Sequence, residues 1–218
     1  IYSQNGEFKF ENMKKITLFP QMKYFNDIGV TPNNLLEFAK NLVLTQDKIN
    51  LSDDIVFFKT HNAMCSVGNY PFTNKDNTLG AIYLVRDPRD VLISSSIYFG
   101  TTHEETKNIM FKKDSIITNI ENNSPIHSLV GSWSNHYNSW VKDNKNILLI
   151  KYENLILNKE LEILRILNFI NGFKKINVSE EKIKNIILSS SFSNMADMEK
   201  KGLFKENSKD KEGKLIKF

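Results

Sequence analysis

The chain is 218 residues long and 40% hydrophobic, with 29 basic and 25 acidic residues and a formal net charge of +4. That length and apolar content suit one globular domain, residues 1–218, with a substantial core. The positive excess is small and interspersed, which favours a local anion site over a duplex-binding face, where Lys and Arg would concentrate on one surface.

Taken in chain order, the first helical pattern runs from Asn34 to Leu44. Ile55 to Phe58 is a short apolar run with the length and side chains of a buried strand, and Leu79 to Val85 is a second. Helical spacing returns from Arg89 to Tyr98 and from Leu129 to Val141. A third strand is expected at Ile147 to Ile150, then helices from Leu161 to Ile170 and from Glu180 to Leu188. The polar tail from Lys200 to Lys217 has few apolar anchors and reads as a mobile loop. Strands alternating with helices predict an α/β fold, a parallel sheet flanked by helices. Each strand run is followed directly by a basic residue, Lys59, Arg86 or Lys151. Ligands of such sheets lie beyond the carboxyl ends of the strands, where this reading places Lys59, His61 and Arg86.

The single cysteine, Cys65, cannot form an intramolecular disulfide, which fits a reducing cytoplasm. Cys65 itself reads as a small buried hydrophobe, since His61 alone stands near it at ligand spacing and no metal is expected. No stretch approaches the roughly 20 consecutive apolar residues of a membrane span, so no membrane insertion is expected. Trp133 and Trp140 are seven apart with Tyr137 between them, and that shared helical face reads as core, with His136 beside it as a structural histidine. Thr102 to Glu105 reads as a solvated loop. The chain opens on Ile1 and ends on Phe218 after a basic run, which reads as a piece of a longer protein.

The most informative segment runs from Tyr83 to Ser96. An apolar strand delivers Arg86 and turns at once into a helix, with Asp87 as N-cap, Pro88 at the first helical position and Asp90 near capping-box spacing. A guanidinium at that point can make bidentate bonds to a phosphate beside the helix N-terminus, and the Ser94 hydroxyl can add another. The plain alternative is a surface arginine paired with Asp87 or Asp90. In Phe57-Phe58-Lys59-Thr60-His61 a lysine and a histidine stand two apart and face the same way if the strand continues. An imidazole can accept a proton from an attacking hydroxyl, and an ammonium can neutralise charge on a transferring group.

Together these two segments resemble the sulfotransferases that use 3'-phosphoadenosine-5'-phosphosulfate (PAPS). In that family a Lys-Thr-His strand end precedes an Arg-(Asn/Asp)-Pro-(Arg/Lys)-Asp-Val-x-x-Ser helix start. Gly131-Ser132-Trp133, Tyr152-Glu153-Asn154 and the run from Ser190 through Phe192 to Met195 are similar to further family segments. The likeness runs from about Ile55 to about Asn207, with residues 1 to 50 matching loosely. It implies a three-layer fold like that of P-loop NTPases and transfer of a sulfonyl group from PAPS to a small-molecule hydroxyl or amine, without metal or nucleic acid. By the same resemblance His61 would be the general base and Lys59 would stabilise the transferring group. Arg86 and Ser94 would hold the nucleotide's 3'-phosphate, Tyr152 would contact the adenosine end, and Ser190 and Phe192 the adenine.

The family's N-terminal Pro-Lys-Ser-Gly-Thr-Thr-Trp loop has no counterpart in residues 1 to 10, and its C-terminal Arg-Lys-Gly segment is not seen either. The fold is therefore expected to be incomplete at both ends, and the chain alone to bind nucleotide poorly and transfer nothing. Two other readings stand beside this one: a sulfotransferase-like binding module without activity, and a small-molecule kinase of P-loop architecture. Cys65 to Asn77 and Gly100 to Ser124 are read as variable loops shaping the acceptor pocket, which leaves the acceptor unnamed.

Overall fold

The computed structural model describes residues 6–7, 16–51, 55–142 and 146–201. In chain order these form β1 (Thr17–Leu18), α1 (Met22–Asn26), α2 (Leu35–Ile49), β2 (Phe58–Lys59), β3 (Ser66–Val67), β4 (Tyr70–Pro71) and β5 (Ala81–Val85). Then come α3 (Pro88–Phe99), α4 (His103–Phe111), β6 (Ile116–Glu121), β7 (Ser124–Leu129), α5 (Trp133–Val141) and β8 (Ile147–Lys151). The helices α6 (Tyr152–Leu157), α7 (Lys159–Asn171), α8 (Glu180–Ser189) and α9 (Phe192–Lys200) follow. The fold is mixed α/β, as the alternation of patterns predicts.

The described strands are shared among four two-stranded sheets. β1 runs parallel to β2, with Thr17 opposite Phe58 and Leu18 opposite Lys59. β5 pairs with β8, and β3 with β4 and β6 with β7 form antiparallel ladders. The expected strand at Ile55 to Phe58 is narrower: among the described residues its ladder comprises Phe58 and Lys59.

Two compact units emerge, one comprising Ile1–Ile16, Leu84–Lys107 and Ile150–Phe218, the other Thr17–Tyr83 and Asn108–Leu149. The second holds a buried apolar cluster: Phe19, Met22, Tyr24, Phe25, Phe38, Leu42, Phe72, Ile126 and Trp140. α2 supplies Phe38 and Leu42, four apart on one face, and Phe38 stacks on Phe25 with ring centroids 5.1 Å apart. Asn34 caps this helix by accepting from the Glu37 backbone N–H at 3.0 Å. The face read as core from Trp133 and Trp140 is partly so: Trp140 is buried among the cluster, whereas Trp133 is half-buried and stacks on Tyr137.

In the first unit, Ser179 caps α8 through the Lys182 N–H at 3.2 Å. Glu162 of α7 is 2% exposed and is neutralised by Arg165 one turn on, 2.6 Å away. A buried carboxylate is tolerated here because a charged donor and the Asn154 amide, at 3.3 Å, both reach it.

Three expectations are corrected. Gly100 to Ser124 is not loop throughout: it contains α4 and β6. Thr102 to Glu105 begins α4 as a capping box, the Thr102 N–H donating to Glu105 at 2.7 Å and the Glu105 N–H to the Thr102 hydroxyl at 3.2 Å. The helix expected from Leu129 starts only at Trp133, because residues up to Leu129 pair with β6 across a turn in which Asn122 and Asn123 both take positive φ. Among the described residues no helix is long and apolar enough to cross a membrane. Of the tail from Lys200 to Lys217, all after Lys201 lies outside the described residues.

Candidate active-site residues

In the second unit, Lys59 ends β2 with its side chain exposed. The strand does not continue to His61, so the two-residue alternation expected to align Lys59 with His61 does not operate. Thr60 turns the chain instead, its hydroxyl accepting from both the backbone N–H and the side-chain amide of Asn62, each at 3.1 Å. His61 is exposed, and the chain after it is fixed residue by residue. The His61 carbonyl accepts from His136 Nε2 at 3.3 Å, and the Asn62 carbonyl accepts from Trp140 Nε1 at 2.9 Å. The Ala63 N–H donates to the Leu129 carbonyl at 2.7 Å, and the Met64 N–H to the Ser139 hydroxyl at 3.0 Å. Asn62, 1% exposed, accepts from the Leu129 N–H at 2.8 Å. Cys65 is half-buried, and burial pushes its thiol pKa up.

In the first unit, Arg86 leaves β5 and the chain enters α3 as the sequence predicts. Asp87 is the N-cap, accepting from the Arg89 N–H at 2.9 Å, and Pro88 follows it. The Asp87 N–H donates to Glu153 at 2.8 Å, so Glu153, from α6, does what the third helical residue does in a capping box. Arg89 forks both Asp87 oxygens, at 2.9 and 2.6 Å, and these bonds hold the Asp87 carboxyl at a pKa of about 2. The Glu153 carboxyl is also lowered, first by the bond from the Asp87 N–H.

Arg86 is engaged differently from the chain's other two arginines. Arg89 and Arg165 each reach a carboxylate at 2.6 Å, whereas Arg86 comes no nearer to Asp90 than 3.4 Å. Its guanidinium lies over the Tyr152 ring, 4.7 Å from the centroid, and its Nε is buried without a hydrogen-bond partner. A buried guanidinium N–H left unpaired beside a capped helix N-terminus suits an incoming anion. Ser94 is half-buried in the second turn of α3. Ser190 closes α8, its hydroxyl donating to the Ile186 carbonyl at 2.6 Å while Lys159 Nζ donates to its carbonyl. Phe192 opens α9 with 78% of its surface exposed, open to a stacking partner and outside any core.

The geometry thus brings Arg86 to Tyr152 in one unit and sets Lys59 and His61 on one turn in the other. Sequence reasoning gave no role to Glu153, Asn62, Tyr83 or Lys159. Glu153 stood inside the quoted Tyr-Glu-Asn segment, but its partner Asp87 is 66 residues away and nothing local points to it.

A model of the sulfotransferase domain matches residues 3–216. The chain belongs to the sulfotransferase family. This match reaches back through the first 50 residues, which the motifs alone align only loosely. The chain is 30% identical to the rabbit (Oryctolagus cuniculus) amine sulfotransferase over 128 residues, 57% of this chain and 39% of that protein. It is 32% identical to human sulfotransferase 2A1 over 120 residues, 53% and 38% of the two chains. The matched part of this sulfotransferase chain spans about two fifths of the length of these curated relatives. Its backbone is similar to that of a mouse sulfotransferase complexed with PAP, with 25% identity, 68% of this chain and 50% of that one covered, and a TM-score of 0.49.

Proposed function

We propose that the protein transfers a sulfonyl group from PAPS to a hydroxyl or amine of a small molecule, as one sulfotransferase domain in the cytoplasm. The observation that carries the donor half is Arg86: half-buried, with its guanidinium over the Tyr152 ring, its Nε buried and unpaired, and Asp90 at 3.4 Å from its other end. A 3'-phosphate would satisfy those donors, with the Ser94 hydroxyl and the α3 N-terminus adding to it. Tyr152, Ser190 and Phe192 would take the adenosine, Phe192 by stacking. The Ser190 hydroxyl already donates within its helix, so it would serve the base as an acceptor.

The donor supplies an activated sulfonyl group. His61 would accept the proton of the acceptor hydroxyl or amine as the acceptor atom bonds to sulfur. The bond from sulfur to the 5'-phosphate oxygen breaks in the same event, and adenosine 3',5'-bisphosphate leaves. Lys59 would offset charge on the transferring oxygens.

The test is made on the full-length protein with labelled PAPS and a panel of phenol, alcohol and amine acceptors. Transfer that disappears in His61→Ala, together with bisphosphate binding that weakens in Arg86→Ala, supports the reading. Bisphosphate binding without transfer to any acceptor would favour the inactive binding module instead.

A further inference from the structure

The α5 helix bears three polar groups at positions 136, 139 and 140, which share one helical face. All three are spent on the backbone of the turn that carries His61: His136 on the His61 carbonyl, Ser139 on the Met64 N–H, Trp140 on the Asn62 carbonyl. A carbonyl only accepts, so the contact with the His61 carbonyl requires the proton of His136 on Nε2. Its Nδ1 must then accept from the Tyr83 hydroxyl, 2.9 Å away. The outcome is a directed relay from the Tyr83 O–H through a neutral imidazole to the His61 carbonyl. Two features keep it neutral and oriented. Burial lowers the His136 pKa, and Tyr83, its own pKa pushed up to about 12 chiefly by burial, stays protonated. The rings of Tyr83 and His136 also pack with centroids 5.7 Å apart.

We infer that His136 is a positioning residue for catalysis: held by Tyr83, it fixes the backbone of His61 and thereby aims the base at the acceptor. This rests on the reading of His61 as the base. A helix and a strand hold this turn through hydrogen bonds at four consecutive residues, 61 to 64. His61 is the one among them that is exposed. Displacing a base by about 1 Å costs on the order of 100-fold in turnover.

Three variants separate positioning from mere support. His136→Ala removes the donor to the His61 carbonyl, His136→Gln restores a side-chain N–H near the position of Nε2, and Tyr83→Phe frees Nδ1. In the full-length protein, His136→Ala is expected to lower kcat by roughly 10- to 100-fold with bisphosphate affinity unchanged, and His136→Gln to recover most of it. Tyr83→Phe should fall between them. Equal loss in Gln and Ala, or loss of donor affinity in step with kcat, overturns the proposal.

A second arm needs no activity. In nitrogen-resolved NMR the wild-type His136 should be the neutral Nε2–H tautomer. The His61 carbonyl carbon resonance should shift in His136→Ala and return in His136→Gln. A His136 Nδ1–H tautomer, or a His61 carbonyl indifferent to both variants, overturns the proposal even where transfer is measurable. An inactive wild type with the NMR signature intact would fault the assignment of His61 as the base while leaving the positioning contact standing.

Discussion

Asn62 offers the most direct test of how the turn is held. Its side chain is 1% exposed, and it accepts from the Leu129 N–H at 2.8 Å while donating to the Thr60 hydroxyl at 3.1 Å. Asn62→Ala removes both bonds and leaves a buried backbone N–H without a partner. An orphaned buried donor costs about 1–3 kcal/mol and the lost bond to Thr60 about 1 kcal/mol more, so the expected destabilisation is about 3 kcal/mol. For a chain of this length that corresponds to roughly 6–12 °C in Tm. The assay is thermal denaturation followed by circular dichroism, paired with hydrogen exchange of the Leu129 amide, which should lose protection. Asn62→Asp keeps the acceptor but buries a carboxylate. Burial disfavours that charge, so the variant's stability should decline as pH rises through the carboxylate range. A melting point within about 1 °C of wild type for Asn62→Ala, with the Leu129 amide as protected as before, would refute the argument.

Arg86→Ala should weaken binding of adenosine 3',5'-bisphosphate by roughly 10- to 100-fold, the worth of a charge-assisted bond, and Arg86→Lys should restore only part, since an ammonium lacks the planar fork; calorimetry on the full-length protein decides it. The Asp87 carboxyl, held at about 2 chiefly by the Arg89 side chain, stabilises the fold above its unfolded value near 3.8 and ceases to as pH falls toward 2. Acid unfolding of Asp87→Asn should accordingly be flatter across that window. Cys65 should alkylate slowly at pH 8 compared with a free thiol, because burial raises its pKa; a rate equal to that of glutathione would contradict this.

What could be read from the sequence was whatever depends on neighbours along the chain. Asp87 and Pro88 announce a helix start by side chains that act within two residues, and the structure has them in those roles. The strand at Ala81–Val85 and the helices from Lys159 and from Glu180 are apolar patterns of the right period, and each appears within a few residues of where it was read. The β6–β7 hairpin was missed because β6 is exposed along nearly its whole length and so shows no alternation. Its turn signal is Asn-Asn in place of Asn-Gly. The Thr102-x-x-Glu105 capping box is legible as local spacing, and the helix behind it has a weak apolar face.

The contacts that fix the candidate site residues belong to a different category. His61 meets His136 across 75 positions, Asn62 meets Trp140 across 78, and Asp87 meets Glu153 across 66. Bonds of that separation leave no periodic trace in one sequence. They matter most where the local rule fails. Had β2 continued, pleating alone would have set the direction of His61; because the ladder stops at Lys59, direction falls to the Thr60 turn and to α5. The sensitivity of the chemistry to substitution should therefore be sought on α5, at His136, Ser139 and Trp140, and less on the strand that precedes the base. On the donor side the same reasoning points to Glu153. It takes the Asp87 N–H at the very turn where Arg86 emerges, so Glu153→Ala should loosen the residue following the guanidinium and weaken nucleotide binding without removing any group that touches the nucleotide.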